Sequence, residues 1–236
     1  MRDHSGPVRS AATRHERETI GLTNPVQNPD ACTPLTSQLW VAHCGFRIQE
    51  VLIRYDTHRA EASALSESGE RLLAWLRVRI DDPSACNTPV GSCRGSFADH
   101  HDHATNLRTY SFASALLLLL NAAVLHRTPP DDPNERFRLL TQQINLIDDL
   151  IRAAKMAQQY RPLGSLGSTW ALLIAWASLC WRQPSHPTAL LSKAASFEKK
   201  AEIQTLLFQY EIVGINSRTH YMLQQAEGMF ERLFPS

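Results

Sequence analysis

The stretch GSLGSTWALLIAWASLCWRQP, residues 164–184, decides the fold class of this protein. Its central part, residues 170–181, carries no charged side chain. A helix that crosses a membrane needs about 20 apolar residues, whereas this segment is shorter and is flanked by Gly167 and Pro184. It therefore predicts a buried helix that is apolar on nearly every side.

A second apolar segment, residues 110–126, precedes this stretch in the chain. Its most apolar part, residues 112–125, contains Ser114 and Asn121 and is also short for a membrane span. The two segments therefore predict a pair of central helices in one packed core, and no contact with a membrane.

The rest of the chain predicts further helices around this pair. Asp132, Pro133 and Glu135 form a helix start, in which an aspartate caps, a proline takes the first position and a glutamate follows. Apolar residues recur at spacings of three and four in the segment that follows and in four others. The predicted helices lie within residues 39–53, 65–80, 110–126, 137–154, 170–181, 190–210 and 217–233.

These segments predict an all-α fold, a single globular domain of about seven helices over residues 35–236. Residues 1–34 hold four prolines and few large apolar side chains, which predicts a flexible N-terminal tail. Residues 83–103 are rich in Pro, Gly, Ser, Asp and His and predict a loop. The sequence shows no strand alternation and no fixed repeat period.

The charge balance argues against direct binding to nucleic acid. The 236 residues include 24 basic and 23 acidic side chains, for a net charge of +1, whereas chains that grip nucleic acid carry a basic excess or stripe. The five cysteines are irregularly spaced, and residues 1–18 have no apolar signal segment. We expect free thiols in a reducing compartment and a protein that is not secreted.

Several side chains could in principle hold a metal. Zinc sites usually start from two cysteines that are two to four residues apart, and no CxxC occurs in the chain. The predicted loop therefore reads as a polar surface segment without a metal. Its cysteines and histidines are Cys86, Cys93, His100, His101 and His103.

Paired aspartates in an all-α fold are similar to the magnesium-binding helix of isoprenoid synthases. That chemistry needs carboxylates one helical turn apart, and Asp148-Asp149 has no third acid on its turn. The other two pairs precede prolines and predict a helix end and a helix start. The residues in question are Asp81, Asp82, Asp131 and Asp132, with Asn216, His220 and Gln224 in the place of a second metal motif.

The segment GSLGST lacks the lysine and the preceding strand of a phosphate loop, so Ser168 is interpreted as a helix cap. Cys180 lies in an apolar helix and is interpreted as inert. Trp170 and Trp176 share a helical stripe. Such a stripe can line a ligand pocket but more often packs in the core, so we expect Trp170, Leu172, Ala175 and Trp176 to be core residues. In a core position, Trp170→Ala costs about 3–5 kcal/mol.

The order of these segments resembles the C-terminal regulatory region of fungal-specific transcription factors, over residues 104–234. In that family an Ala/Leu-rich helix, an amphipathic helix and a Gly/Ser turn precede a motif of the type Trp-Pro-Leu-Phe-x-Ala-Gly. Trp170, Leu172 and Ala175 match this motif, whereas Ala171 stands for its proline and Trp176 for its glycine.

The resemblance implies control of transcription in the nucleus, with no catalytic residues, cofactor or metal. The family's zinc cluster needs six cysteines with two CxxC pairs, which this chain lacks, so we expect a truncated or divergent member. It would act through a DNA-binding partner, as a homodimer or with a small-molecule effector, and would otherwise be cytoplasmic. Two alternatives stay open: an isoprenoid or terpene-synthase-like enzyme, and a helical scaffold without a ligand.

Overall fold

The computed structural model describes residues 34–81, 97–128, 132–160, 166–181, 193–210 and 216–234. These residues form seven α-helices and contain no strand, which confirms the predicted all-α fold. The predicted tail and residues 83–96 of the predicted loop lie outside the described residues, apart from Pro34, which begins the first helix. The helices are α1 Pro34–Ile53, α2 Tyr55–Ile80, α3 Phe97–Arg127, α4 Pro133–Ala157, α5 Leu166–Cys180, α6 Lys193–Tyr210 and α7 Asn216–Leu233.

The two apolar helices are central, as predicted. The α3 helix packs against α1, α2, α4 and α5, and α5 in turn packs against α4, α6 and α7. Each of these two helices has neighbours on several sides. Its whole circumference is therefore buried and has to be apolar. Their fully buried side chains include Leu107, Leu117, Leu118, Leu120, Leu125, Leu172 and Ala175.

The α3 helix begins at Phe97, so the predicted loop was wrong over residues 97–103. A tertiary contact explains the difference. The His103 ring is buried, and its Nε2 donates to the carbonyl oxygen of Ile80 at 3.0 Å, at the end of α2. Its Nδ1 forms a hydrogen bond of 2.5 Å with the Tyr160 hydroxyl. These bonds hold the first turns of α3 in place despite their polar sequence.

The added turns also change the membrane argument. Residues His100–Arg127 are long and apolar enough to cross a membrane by length and composition, so the argument that this segment is too short was wrong. However, 83% of the most apolar window is buried inside the protein. This burial favours a central core helix, since the surrounding helices already cover its apolar surface.

Two glycines allow close contact with α3. A Cβ atom on Gly69 of α2 would lie 2.7 Å from Leu117 Cδ2, and one on Gly167 of α5 would lie 2.9 Å from Phe112 Cε2. Real Cβ atoms essentially never approach so closely. The backbones of α2 and α5 therefore lie closer to α3 than any other residue at these positions allows without movement.

The α4 helix starts as predicted. Pro133 is its first residue, and Asp132 Oδ1 accepts from the Glu135 backbone N–H at 3.1 Å. The predicted cap at Ser168 was wrong, because α5 already begins at Leu166 and Ser168 is a buried residue within it. Gly167 packs on α3, so the first turn of α5 lies in the core. The helix therefore begins earlier in the sequence than the predicted cap at Ser168.

Candidate functional site

The tryptophan motif lies on α5 and is split between two faces. Leu172 and Ala175 are buried in the core, as predicted. Trp170 and Trp176 are half-buried and pack against the edge of the core, which corrects their expected core position. Helical period alone could not show this, because α5 is apolar on both faces.

The half-buried face of α5 contacts neighbouring helices through the tryptophan rings. The Trp170 ring lies 5.5 Å from the Phe112 ring of α3, measured between centroids. The Trp176 indole Nε1–H donates to Glu227 Oε1 of α7 at 2.6 Å. Cys180 shares this face, and burial raises the pKa of its thiol to about 11. The thiol is therefore protonated at neutral pH, consistent with its interpretation as inert.

The paired aspartates Asp148 and Asp149 contact different helices. Asp148 forms an ion pair with Lys199 of α6, whereas Asp149 forms one with Arg77 of α2. Arg152 also lies near Asp149, with 3.8 Å between Nη2 and Oδ1. Each carboxylate is balanced by its own cation, so the arrangement does not direct the two toward a shared magnesium ion.

A buried tyrosine hydrogen-bonds to the arginine of the Arg77–Asp149 ion pair. Arg77 Nη2 donates to the Tyr110 hydroxyl oxygen at 3.2 Å, and the Tyr110 ring is fully buried in α3. Burial raises the pKa of the Tyr110 hydroxyl above its ordinary value, so this group stays neutral. It acts as a fixed hydrogen-bonding group that positions Arg77 between α2 and α4.

The remaining aspartates agree with predicted helix boundaries. Asp81 follows the last residue of α2 and accepts from Arg152 Nη1 at 2.8 Å. Asp132 caps α4. Their neighbours Asp82 and Asp131 lie outside the described residues.

The cysteines and histidines considered for zinc are only partly described, because Cys86 and Cys93 lie outside the described residues. His103 is used in the contact between α2 and α3, and His101 is exposed. The side-chain nitrogens of His100 are buried without a hydrogen-bond partner among the described residues. Over the seven described helices, no group of three His, Cys, Asp or Glu side chains is arranged to hold a metal.

The second set of residues considered for a metal lies on α7. Asn216 is the first residue of this helix. His220 and Gln224 are exposed, and their side-chain nitrogens lie 3.1 Å apart, within one turn of the helix. They hydrogen-bond to each other, which is the usual contact of polar residues at this spacing.

A groove that the sequence did not predict runs between α2 and α4, both of which pack on α3. Three polar pairs cross it: Glu70 with Gln142, Arg77 with Asp149, and Asp81 with Arg152. One part of the groove is a cavity of about 590 Å³ with the half-exposed Phe137 at its edge.

A second cavity, of about 380 Å³, lies between α2, the end of α3 and the start of α4. We call it the polar pocket, because most of its lining side chains are charged or carry hydroxyl or amide groups. Its lining includes the side chains of Arg59, Ser63, Glu67, Asn121, Asp132 and Arg138.

Asn121 is the buried group of the polar pocket. Its side chain is 2% exposed, and its Nδ2 has no hydrogen-bond partner among the described residues. A buried polar atom without a partner is uncommon and calls for an explanation. One feature of the sequence pointed to this site: Asn121 is an asparagine inside an otherwise apolar helix. The other lining residues come from three helices and form no motif.

Comparisons with known proteins do not identify the chain. No protein family, no curated protein and no solved structure matches it. Its function is therefore argued from its own residues.

Proposed function

We propose that the chain is a non-catalytic, transcription-regulator-like helical domain, of the kind that its segment order resembles, without a DNA-binding zinc cluster of its own. It acts in the nucleus through a DNA-binding partner and in response to a small-molecule effector. The observation that carries this proposal is the order and packing of α3, α4 and α5: an apolar helix, an amphipathic helix and the Trp170 helix, each in contact with the other two.

An exposed apolar face on α6 supports a partner protein. Phe197 and Phe208 are 73% and 41% exposed, and their spacing of eleven positions corresponds to about three helical turns. They therefore lie on the same face of α6, with the exposed Ala201 between them. Aromatic side chains on one exposed face are enriched at protein interfaces.

The net charge of +1 supports an indirect route to DNA. Non-specific affinity for DNA comes chiefly from arginine and lysine contacts to phosphates. Several basic side chains in the described helices are paired with acids, as in Arg47–Glu50, Arg138–Glu135 and Lys155–Glu202. A partner with its own basic surface would supply the contacts that this chain lacks.

Chromatin crosslinking and immunoprecipitation of the tagged chain from its own cells tests the proposal. We expect enrichment at a discrete set of promoters, together with no shift of promoter DNA by the purified chain at physiological salt. A Phe197→Ser, Phe208→Ser double variant should lose the enrichment, whereas Phe46→Ser, at a phenylalanine that is 77% exposed on α1, should keep it.

Each other outcome contradicts a defined part of the proposal. Absence of enrichment, with the chain in the cytoplasm, contradicts the regulatory function itself. Direct binding of promoter DNA by the purified chain contradicts the need for a DNA-binding partner. Equal loss in the α6 double variant and in Phe46→Ser contradicts the assignment of the partner surface to α6.

A further inference from the structure

We infer that the polar pocket between α2, α3 and α4 binds a hydroxylated primary amine about the size of a monosaccharide. The inference rests on the proposed effector response and names its site and ligand class. Three independent features of the pocket lead to it: an unpaired amide in its wall, an excess of carboxylates and a set of hydroxyl groups.

The amide of Asn121 requires an acceptor. Its Nδ2 is buried and has no partner among the described residues, although the residue lines the pocket. Leaving a buried donor unsatisfied destabilises a fold, and the penalty ends when a ligand oxygen accepts the bond. A hydroxyl or carbonyl oxygen at the inner end of the ligand provides that acceptor.

The carboxylates favour a cation. Among the described residues, four acidic side chains line the pocket against two arginines, Arg59 and Arg138. Arg138 is already engaged by Glu135, with two hydrogen bonds of 2.8 and 2.7 Å. Within the described part of the chain, the one ion-pair contact of Glu67 is a long one, of 3.7 Å to Arg71. An ammonium group near Glu67 would therefore be attracted, and a second anion would be repelled.

The hydroxyl groups favour a ligand with several hydroxyls of its own. Ser63, Ser66 and Thr128 line the pocket, and the hydroxyls of the two serines can donate and accept. Thr128 uses its proton on the carbonyl oxygen of Val124 at 2.8 Å and keeps its lone pairs. The volume of about 380 Å³ lies at the small end of the range for ligand pockets, which suits one sugar ring better than a large apolar molecule.

Isothermal titration calorimetry on the purified full chain tests the inference with three probes: glucosamine, glucose and gluconate. The titrations are made at about pH 6, where a primary amine is protonated. We expect glucosamine to bind, glucose to bind about tenfold more weakly because it lacks the charge, and gluconate to give no signal. Failure of glucosamine to bind, or equal binding of glucosamine and glucose, overturns the inference.

Variants connect binding to the named residues. Asn121→Leu removes the amide at similar volume and should abolish measurable binding without lowering the urea midpoint, because the buried unpaired group disappears with it. Glu67→Gln removes one exposed charge and should weaken glucosamine binding about tenfold with no change in glucose binding. Glu231→Gln, on α7 and outside the pocket, is the matched control and should bind as the unchanged chain does.

A second variant tests the ligand site if the first one does not fold. If Asn121→Leu does not fold, Glu67→Gln tests the site instead. The Glu67 side chain is 70% exposed, so its substitution should not disturb the fold. Unchanged glucosamine binding in Glu67→Gln overturns the assignment to this pocket. The assay uses no promoter, so failed binding with retained promoter enrichment rejects the ligand site alone. Binding without promoter enrichment rejects the regulatory function and keeps the site.

Discussion

The indole Nε1–H of Trp176 donates a hydrogen bond of 2.6 Å to Oε1 of Glu227 and thereby joins α5 to α7. The tryptophan is accommodated because it lies on the half-buried face of α5, where its ring reaches α7 and its N–H finds a carboxylate. Trp176 thus has a structural role, because it connects two helices.

The Trp176–Glu227 hydrogen bond predicts an energetic coupling. Trp176→Phe keeps most of the ring and removes the donor, and Glu227→Ala removes the acceptor. A double-mutant cycle in urea should give a coupling of about 1 kcal/mol, the usual net value of a partly buried hydrogen bond. Additive single and double variants, within about 0.3 kcal/mol, would show that the bond contributes nothing to stability.

Leu172 and Trp170 should differ in their contribution to stability in the order of their burial. Leu172 is fully buried, so Leu172→Ala should cost about 3 kcal/mol. Trp170 is half-buried, so Trp170→Ala should cost about 1–2 kcal/mol, less than full burial would imply. Urea unfolding of both variants measures this order. A larger loss for Trp170→Ala would place its ring deeper in the core than the structure does.

The close approach of α2 to α3 predicts opposite effects of one substitution at two helical glycines. Gly69→Ala should destabilise by about 1–2 kcal/mol, because its methyl group would meet the buried Leu117 side chain at 2.7 Å. Gly45→Ala in α1 meets nothing within 4 Å and should stabilise by about 0.5–1 kcal/mol through helix propensity. Thermal unfolding compares the two variants. Stabilisation by both would mean that α2 and α3 lie farther apart.

Alkaline pH should weaken the fold through Cys44. Its thiol is buried in α1, and burial raises its pKa from about 9 to about 12. The folded state therefore keeps a proton that the unfolded state releases, so the contribution of Cys44 to stability is complete below about pH 9 and is lost as pH rises toward 12.

Urea unfolding at pH 8 and near pH 10.5 measures this effect. The loss of stability between the two values should be smaller in Cys44→Ala than in the unchanged chain, because the variant has no thiol to ionise. Both chains share the lysines and tyrosines that also titrate in this range, so the difference between them reports Cys44. Equal losses would show that the Cys44 thiol reaches solvent.

The helices were predictable where local signals agree. Asp132, Pro133 and Glu135 marked the start of α4 because capping acts over three residues of chain. The start of α3 was not predictable, since it depends on a bond from His103 to the carbonyl oxygen of Ile80, which is 23 residues away. The start of α5 was missed for the same reason, because Gly167 packs on Phe112 of another helix.

The candidate site was largely beyond prediction. Asp148 and Asp149 are adjacent in sequence yet ion-pair with different helices, since neighbouring residues of a helix point about 100° apart. The polar pocket joins Glu67, Asn121 and Asp132, which no spacing rule connects. A site made from several helices exists only after those helices pack, and its chemistry then depends on which side chains they bring together.

The amino-acid sequence by itself determined the all-α class and the two central helices, because hydrophobic period, proline breaks and capping residues act within a few turns of the chain. Only the tertiary structure decided which face of the Trp170 helix is buried, which aspartates are neutralised and where a polar pocket forms. The physical reason is that burial and ion pairing depend on contacts between helices, and the residues that make these contacts lie tens of positions apart in the sequence.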